Sequence, residues 1–191
     1  MAVLKVLEWP AKVLETKSEP VEKVDDEIKS FVADMHETMD AAGGIGLAAN
    51  QVGRAVRVLT IMIPWSESRY ADQEPEKKEP WHDKRWTFIN PVIKKKNGKI
   101  RWQEGCLSFP EIYEFVDRAS EIEVEALDEN GQTFTVEANG LFSVCLQHEI
   151  DHIDGIVFIN RMSRLKSSMV KKKVSKRQRL GSVEESVNDQ S

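Results

Sequence analysis

Cysteine is scarce in this 191-residue chain: only Cys106 and Cys145 occur. Two thiols make no disulfide framework, and reduced cysteines in a cytoplasmic setting are expected. Long apolar runs are absent too, so no membrane span is expected, since one needs about 20 consecutive apolar residues. The opening MAVLKVLEWPAKVLE carries acidic residues and an early proline. It has neither the apolar stretch of a secretory signal nor the acid-poor, Arg- and Ser-rich character of a transit peptide. Basic charge is not in excess. The net charge is -5, with 31% charged residues, which excludes a general field for DNA and confines any polyanion contact to a local patch. Repeats are missing as well, and the length suits one compact unit, expected over residues 1–180, with 181–191 as a disordered tail.

What is present divides into recognisable elements. After Asp25, Asp26 and Glu27, the residues Ile28, Phe31, Val32, Met35 and Met39 recur at helical spacing until Gly43-Gly44. The run VRVLTIMI from Val56 to Ile63 suits a buried strand, and Thr87 to Asn90 followed by Val92 to Lys95 predicts another, turned back by Asn97-Gly98. Ile122, Val124 and Ala126 alternate with Glu121, Glu123 and Glu125, and Phe134 and Val136 resume the alternation after Asn130-Gly131. That is an antiparallel hairpin. Pro64 to Trp86 is polar, charged and proline-bearing, which predicts a long loop partly anchored by its three tryptophans. Leu141 to Ile153 predicts a helix stopped at Asp154-Gly155, and Ser163 a cap for a last helix bearing Lys171, Lys172, Lys173, Lys176, Arg177 and Arg179.

Histidine is also rare, with four in the chain, and two of them fall in His148-Glu149-Ile150-Asp151-His152. Imidazoles at i and i+4 on a helix can face one ion, with Glu149 beside the first for proton transfer. The plainer alternative is a helix whose histidines are satisfied by hydrogen bonds. A catalytic metal usually takes three protein ligands and keeps one position open. Cys145 lies seven residues from His152, roughly 10 Å along a helix axis, and reads as a small buried apolar residue instead. Cys106 is better placed, because Gly105 would let its backbone approach the helix closely. An inert buried cysteine is the competing reading. Gly44 to Gln51 (GIGLAANQ) looks like backbone that something approaches, or else a tight packed turn, and lacks the spacing of a nucleotide loop.

GIGLAANQ, Glu104 to Ser108 (EGCLS) and Gln147 to His152 (QHEIDH) resemble, in order, the three signature motifs of the bacterial peptide deformylases. The resemblance runs from the N-terminal segment to about Lys176. It implies removal of the formyl group from N-formylmethionyl nascent peptides with release of formate. It further implies metal ligation by Cys106, His148 and His152, with Glu149 as general acid and base. Gln51, through its side-chain amide, and Leu107, through its backbone N–H, would stabilise the developing oxyanion. Gly46 would offer backbone hydrogen bonds to an extended substrate, and Ile45, Trp102, Leu141 and Val144 would line the methionine pocket. Ferrous iron is the implied metal, with Zn2+, Ni2+ or Co2+ as substitutes, and a basic last helix implies docking on the ribosome near the tunnel exit. Arg118 fits the family's Val-x-Arg and is expected to brace Glu104. Phe109 and Tyr113 depart from the usual residues at their positions.

Two other readings are a zinc peptidase of the H-E-x-x-H kind and a noncatalytic metal- or ribosome-binding protein. The first normally finds a downstream ligand, yet no His or Cys follows His152. The second has no need of Gln51 and Glu149. The expected architecture is α+β, with antiparallel sheets wrapped around the helix bearing His148 and His152, since the strand signals are hairpins rather than βαβ units.

Overall fold

The computed structural model describes residues 2–67 and 78–188. Helix α1 spans Asp26–Ala41. It starts where the Asp25 carboxylate accepts the Ile28 N–H at 3.0 Å, a side-chain cap for an otherwise unsatisfied donor. Ile28, Phe31, Val32, Met35 and Met39 are all buried, as their spacing requires, and Gly43 ends the element at φ +65°.

The main sheet has five antiparallel strands: β1 (Gly46–Ala48), β2 (Val58–Ile61), β3 (Trp86–Asn97), β6 (Glu121–Leu127) and β7 (Thr133–Asn139), hydrogen-bonded in that order. The β2 strand is shorter than the apolar run that announces it, because Val56 bridges Glu19 and the Met62 N–H turns to the Ile45 carbonyl. One continuous β3 covers both predicted segments. Its register breaks between Ile89 and Val92, where Asn90 sits at φ +53° and exchanges hydrogen bonds of 2.9 and 2.8 Å with the Val21 backbone. In the β6/β7 hairpin Ile122, Val124 and Ala126 face the core, while Glu123 and Glu125 meet Lys95 and Lys94 on β3. A second, two-stranded sheet pairs β4 (Ile100–Glu104) with β5 (Glu114–Arg118). No apolar periodicity in the sequence announces it.

Helix α2 (Gly140–Ile153) is buried from Phe142 onward, which makes it the axis of the fold. One core cluster joins Phe142, Leu146 and Ile150 to Phe88 and Val124 of the sheet, and another lies between α1 and β2. Around Pro64 to Trp86, Trp81 stacks on Phe142 with centroids 5.2 Å apart and Trp86 packs on Phe142 at 5.5 Å, so the connection is anchored on α2. Residues 68–77 of that expected loop lie outside the described residues. Helix α3 spans Arg164–Asn188, with the Ser163 hydroxyl accepting the Lys166 N–H. Val170 and Val174 plug a third cluster with Leu14, Phe109 and Ile112. The result is the expected α+β architecture.

Candidate metal centre and catalytic cleft

Helix α2 presents His148 and His152 one turn apart, their rings 4.9 Å from one another. The loop between β4 and β5 brings Cys106 to them, with Sγ 3.2 Å from His152 Nε2. One ligand atom from each of Cys106, His148 and His152 lies within 4.8 Å of the other two. These three form the only such His, Cys and carboxylate grouping among the described residues. Cys145 stays out of it: its buried thiol points at the Ile45 carbonyl, and burial together with the nearby Glu149 and Glu104 carboxylates pushes its pKa well up.

The His148 ring is oriented from behind. Its Nδ1 lies 2.8 Å from Glu104 Oε2, which leaves Nε2 to face Cys106 and His152. Glu104 is gripped in turn by Arg118, whose Nε and Nη2 donate at 2.7 and 2.9 Å. Burial opposes ionisation of Glu104, but the hydrogen bonds from Arg118 and His148 outweigh it and hold the carboxyl down at about 2. His152 Nδ1 has no hydrogen-bond partner among the described residues, and burial, with His148 and Arg118 nearby, keeps the ring well below the usual histidine range.

Glu149 is buried beside Gly46, and burial pushes its pKa up to about 7. Its Oε2 has no hydrogen-bond partner among the described residues. The side chain of Gln51 is fixed at both ends: Oε1 accepts the Ala48 N–H at 2.9 Å, while Nε2 faces Ser108 Oγ at 3.3 Å and Cys106 Sγ at 3.7 Å. Among the described residues the Leu107 N–H has no acceptor within the protein. Gln147, the first residue of the third motif, ties α2 to the β5–β6 turn by exchanging hydrogen bonds with the Ala119 backbone.

A cleft of about 470 Å³ is lined by Ile45, Gly46, Gln51, Trp102, Cys106, Leu107, Leu141, Val144, His148 and Glu149. Every candidate site residue except His152 borders it, and His152 is fully buried behind Cys106. The role expected of Gly105 needs correcting. A Cβ there would lie 2.7 Å from the Tyr113 ring, so the glycine makes room for Tyr113 rather than for a close approach to α2. Phe109 belongs to the core, stacked on Trp9 and edge-on to Phe158, whereas Tyr113 is exposed at the cleft mouth. Asp151 and Arg161, which complete the ion network behind His148, were not singled out from the sequence. The only available signal was the acidic residue inside the HEIDH motif.

A buried helix carrying two imidazoles and a carboxylate, enclosed by antiparallel sheets and met by a thiol from a loop, has the donor set of a metallohydrolase-type site. A profile of the polypeptide deformylase family matches residues 3–168, and the chain belongs to that family and is an enzyme of its kind. The peptide deformylase of Neisseria gonorrhoeae is 46% identical over 179 residues, covering 94% of this chain and 98% of its own. That of Pelagibacter ubique is 44% identical over 177 residues, 92% of this chain and 95% of its own. The crystal structure of peptide deformylase from Ehrlichia chaffeensis superposes with a TM-score of 0.85 at 39% identity, covering 94% of this chain and 99% of the other. The same protein in complex with actinonin gives 0.83 at 40% identity, with the same coverage. The family is metal-dependent and acts on formylmethionyl peptides. No helix among the described residues is long and apolar enough to cross a membrane.

Proposed function

We propose that this enzyme removes the formyl group from the N-terminal formylmethionine of nascent chains and releases formate, with one divalent ion held by Cys106, His148 and His152. The observation that carries the reading is the convergence of those donors within 4.8 Å beside the Glu149 carboxyl. The donor set fits a metal. A thiol and two imidazoles are at hand, and the bond from Glu104 leaves His148 Nε2 as a free ligand atom. When bound, the ion would supply Lewis acidity, polarising the formyl oxygen and easing ionisation of the attacking water.

Glu149 takes a proton from that water and returns it to the departing amine nitrogen. A pKa of about 7 suits both roles near neutral pH. Negative charge gathers on the formyl oxygen, and the Gln51 amide and the Leu107 N–H are the donors that meet it. β1 is an edge strand of the sheet, so its backbone at Gly46 is available to an extended peptide, as strand addition requires. Ile45, Trp102, Leu141 and Val144 give the cleft an apolar wall for the methionine side chain.

Thiolate and imidazole donors accept several first-row metals, and ferrous iron is the leading assignment, with zinc, nickel or cobalt able to replace it. The reading places the enzyme in the cytoplasm, where nascent chains emerge. It also assigns α3 to the ribosome surface, supported by Lys171, Lys172, Lys173 and Lys176, which form no ion pair among the described residues.

Formate release from a formyl-Met tripeptide tests the activity, using enzyme prepared anaerobically with Fe(II), a Glu149→Ala control and an unformylated peptide. Release by the wild type alone is expected. Absence of release at one bound metal per chain would sink the reading and leave a noncatalytic metal-binding protein. Preparation in air should lower the activity of the iron form, and equal activity either way would count against iron.

A further inference from the structure

Asp151 lies between two guanidinium groups. One carboxylate oxygen is hydrogen-bonded to Arg118 Nη1 and to Arg161 Nε, the latter at 2.9 Å, and the other meets Arg161 Nη2. The chain of contacts is therefore Arg161, Asp151, Arg118, Glu104, His148. Its inner members are deeply buried, with the side chains of Arg118, Glu104 and Asp151 only 4, 3 and 9% exposed. Arg161 enters from elsewhere in the fold, at the end of the one-turn helix Phe158–Arg161 that precedes α3, and its side chain is 43% exposed. It borders a separate cavity of about 440 Å³ against another face of α2 and does not line the catalytic cleft.

We propose that Arg161 is a positioning residue for the metal centre, acting through Asp151 and Arg118 to hold Glu104, and thereby the His148 ring, in ligating orientation. The inference rests on the reading that Cys106, His148 and His152 hold a divalent ion. Its physical basis is charge balance. Glu104 and Asp151 place two carboxylates in the interior against the single guanidinium of Arg118, and an uncompensated buried charge is costly. Arg161 supplies the second cation through a bidentate contact that fixes direction as well as charge. Without it, Asp151 competes with Glu104 for Arg118. The grip on Glu104 then loosens, and Glu104 is what fixes the His148 ring.

Full-length wild type, Arg161→Met and Arg161→Lys loaded with Co2+ provide the test. The readouts are the cobalt absorption spectrum, the rate of Co2+ loss to a chelator, and KM for a formyl-Met peptide. Groups that orient a metal ligand typically change affinity by about 10- to 100-fold. Arg161→Met is expected to release Co2+ at least about tenfold faster, with an altered spectrum and an unchanged KM, while Arg161→Lys stays near the wild type. A Met variant with wild-type spectrum and release rate would overturn the proposal, even if its melting temperature fell. If the Met variant does not fold, Arg161→Gln is judged by the same criteria. A wild type that takes up no Co2+ would defeat the metal reading itself, an outcome visible before any variant is compared.

Discussion

A Cβ on Gly46 would lie 2.5 Å from Glu149 Oε1 and 2.9 Å from Glu149 Cδ, so the carboxylate of α2 occupies the space that a side chain at position 46 would need. Cys145 Sγ, also 2.9 Å from that point, blocks the neighbouring direction. With β1 held by its pairing to β2, Glu149 and Cys145 must give way in Gly46→Ala, and Glu149 by the larger amount. If Glu149 is the general base proposed above, misplacing it forfeits part of a contribution worth about 10²–10⁴-fold, so kcat should fall about 10- to 1000-fold. Metal content should not change. Measuring kcat and bound metal together checks the argument, and wild-type turnover in Gly46→Ala would refute it.

Gln51→Glu removes one donor and sets a carboxylate in its place, so its cost is at least that of the lost donor. The substituted carboxylate can still accept the Ala48 N–H that Gln51 Oε1 accepts, but it cannot donate toward the cleft. Loss of a single oxyanion donor costs about 10²–10³-fold, so kcat should drop by that order with little change in KM. A rise in KM at constant kcat would show instead that Gln51 serves ground-state binding.

The sequence was readable where one period of burial governs an element. Helix α1 follows its apolar spacing, the β6/β7 hairpin its alternation, and the facing pair His148 and His152 its i, i+4 register. The β4/β5 sheet was hidden because charged residues hold inward positions, Glu104 at the end of one strand and Arg118 at the end of the other. Their mutual ion pair permits this, and polar–apolar alternation cannot register it. The Glu104–Arg118 pair came into view only through the family resemblance. Its extension to Asp151 and Arg161 joins residues that no local pattern relates. Gly105 was visible as a position needing a small residue, but the neighbour demanding it, Tyr113, is set by how the β4–β5 loop folds back.

His36 gives a pH dependence remote from the metal centre. Its ring is buried on α1, with Nε2 3.1 Å from Thr87 Oγ1 on β3 and Nδ1 unpartnered among the described residues. Burial lowers its pKa from 6.5, Arg85 lowers it further, and the Asp40 and Glu129 carboxylates only partly offset them. The unfolded chain therefore binds the proton more readily than the folded one. Stability is full above about pH 6.5 and declines as pH falls below it. His36→Gln should flatten the melting-temperature profile between pH 7.5 and 5.5 relative to the wild type. Parallel profiles would show that His36 does not contribute.

The role proposed for α3 makes a prediction that truncation cannot test. Val170 and Val174 are buried with Leu14 and Phe109, Arg177 donates to the Pro110 carbonyl and Glu8, and Gln178 to the Trp9 carbonyl. Cutting after Ser163 would uncover that core and confuse lost docking with lost folding. Lys172, Lys173 and Lys176 are exposed on the same helix and can be reversed in charge without disturbing it. If α3 meets ribosomal RNA, binding should weaken steeply with salt, since each phosphate neutralised releases counterions. The Lys172→Glu, Lys173→Glu, Lys176→Glu triple variant should then sediment with ribosomes far less at low salt and show a shallower salt dependence, with unchanged melting temperature and unchanged turnover of a free formyl-Met peptide. Equal cosedimentation of the variant and the wild type across the salt range would mean that these lysines are an ordinary solvated face.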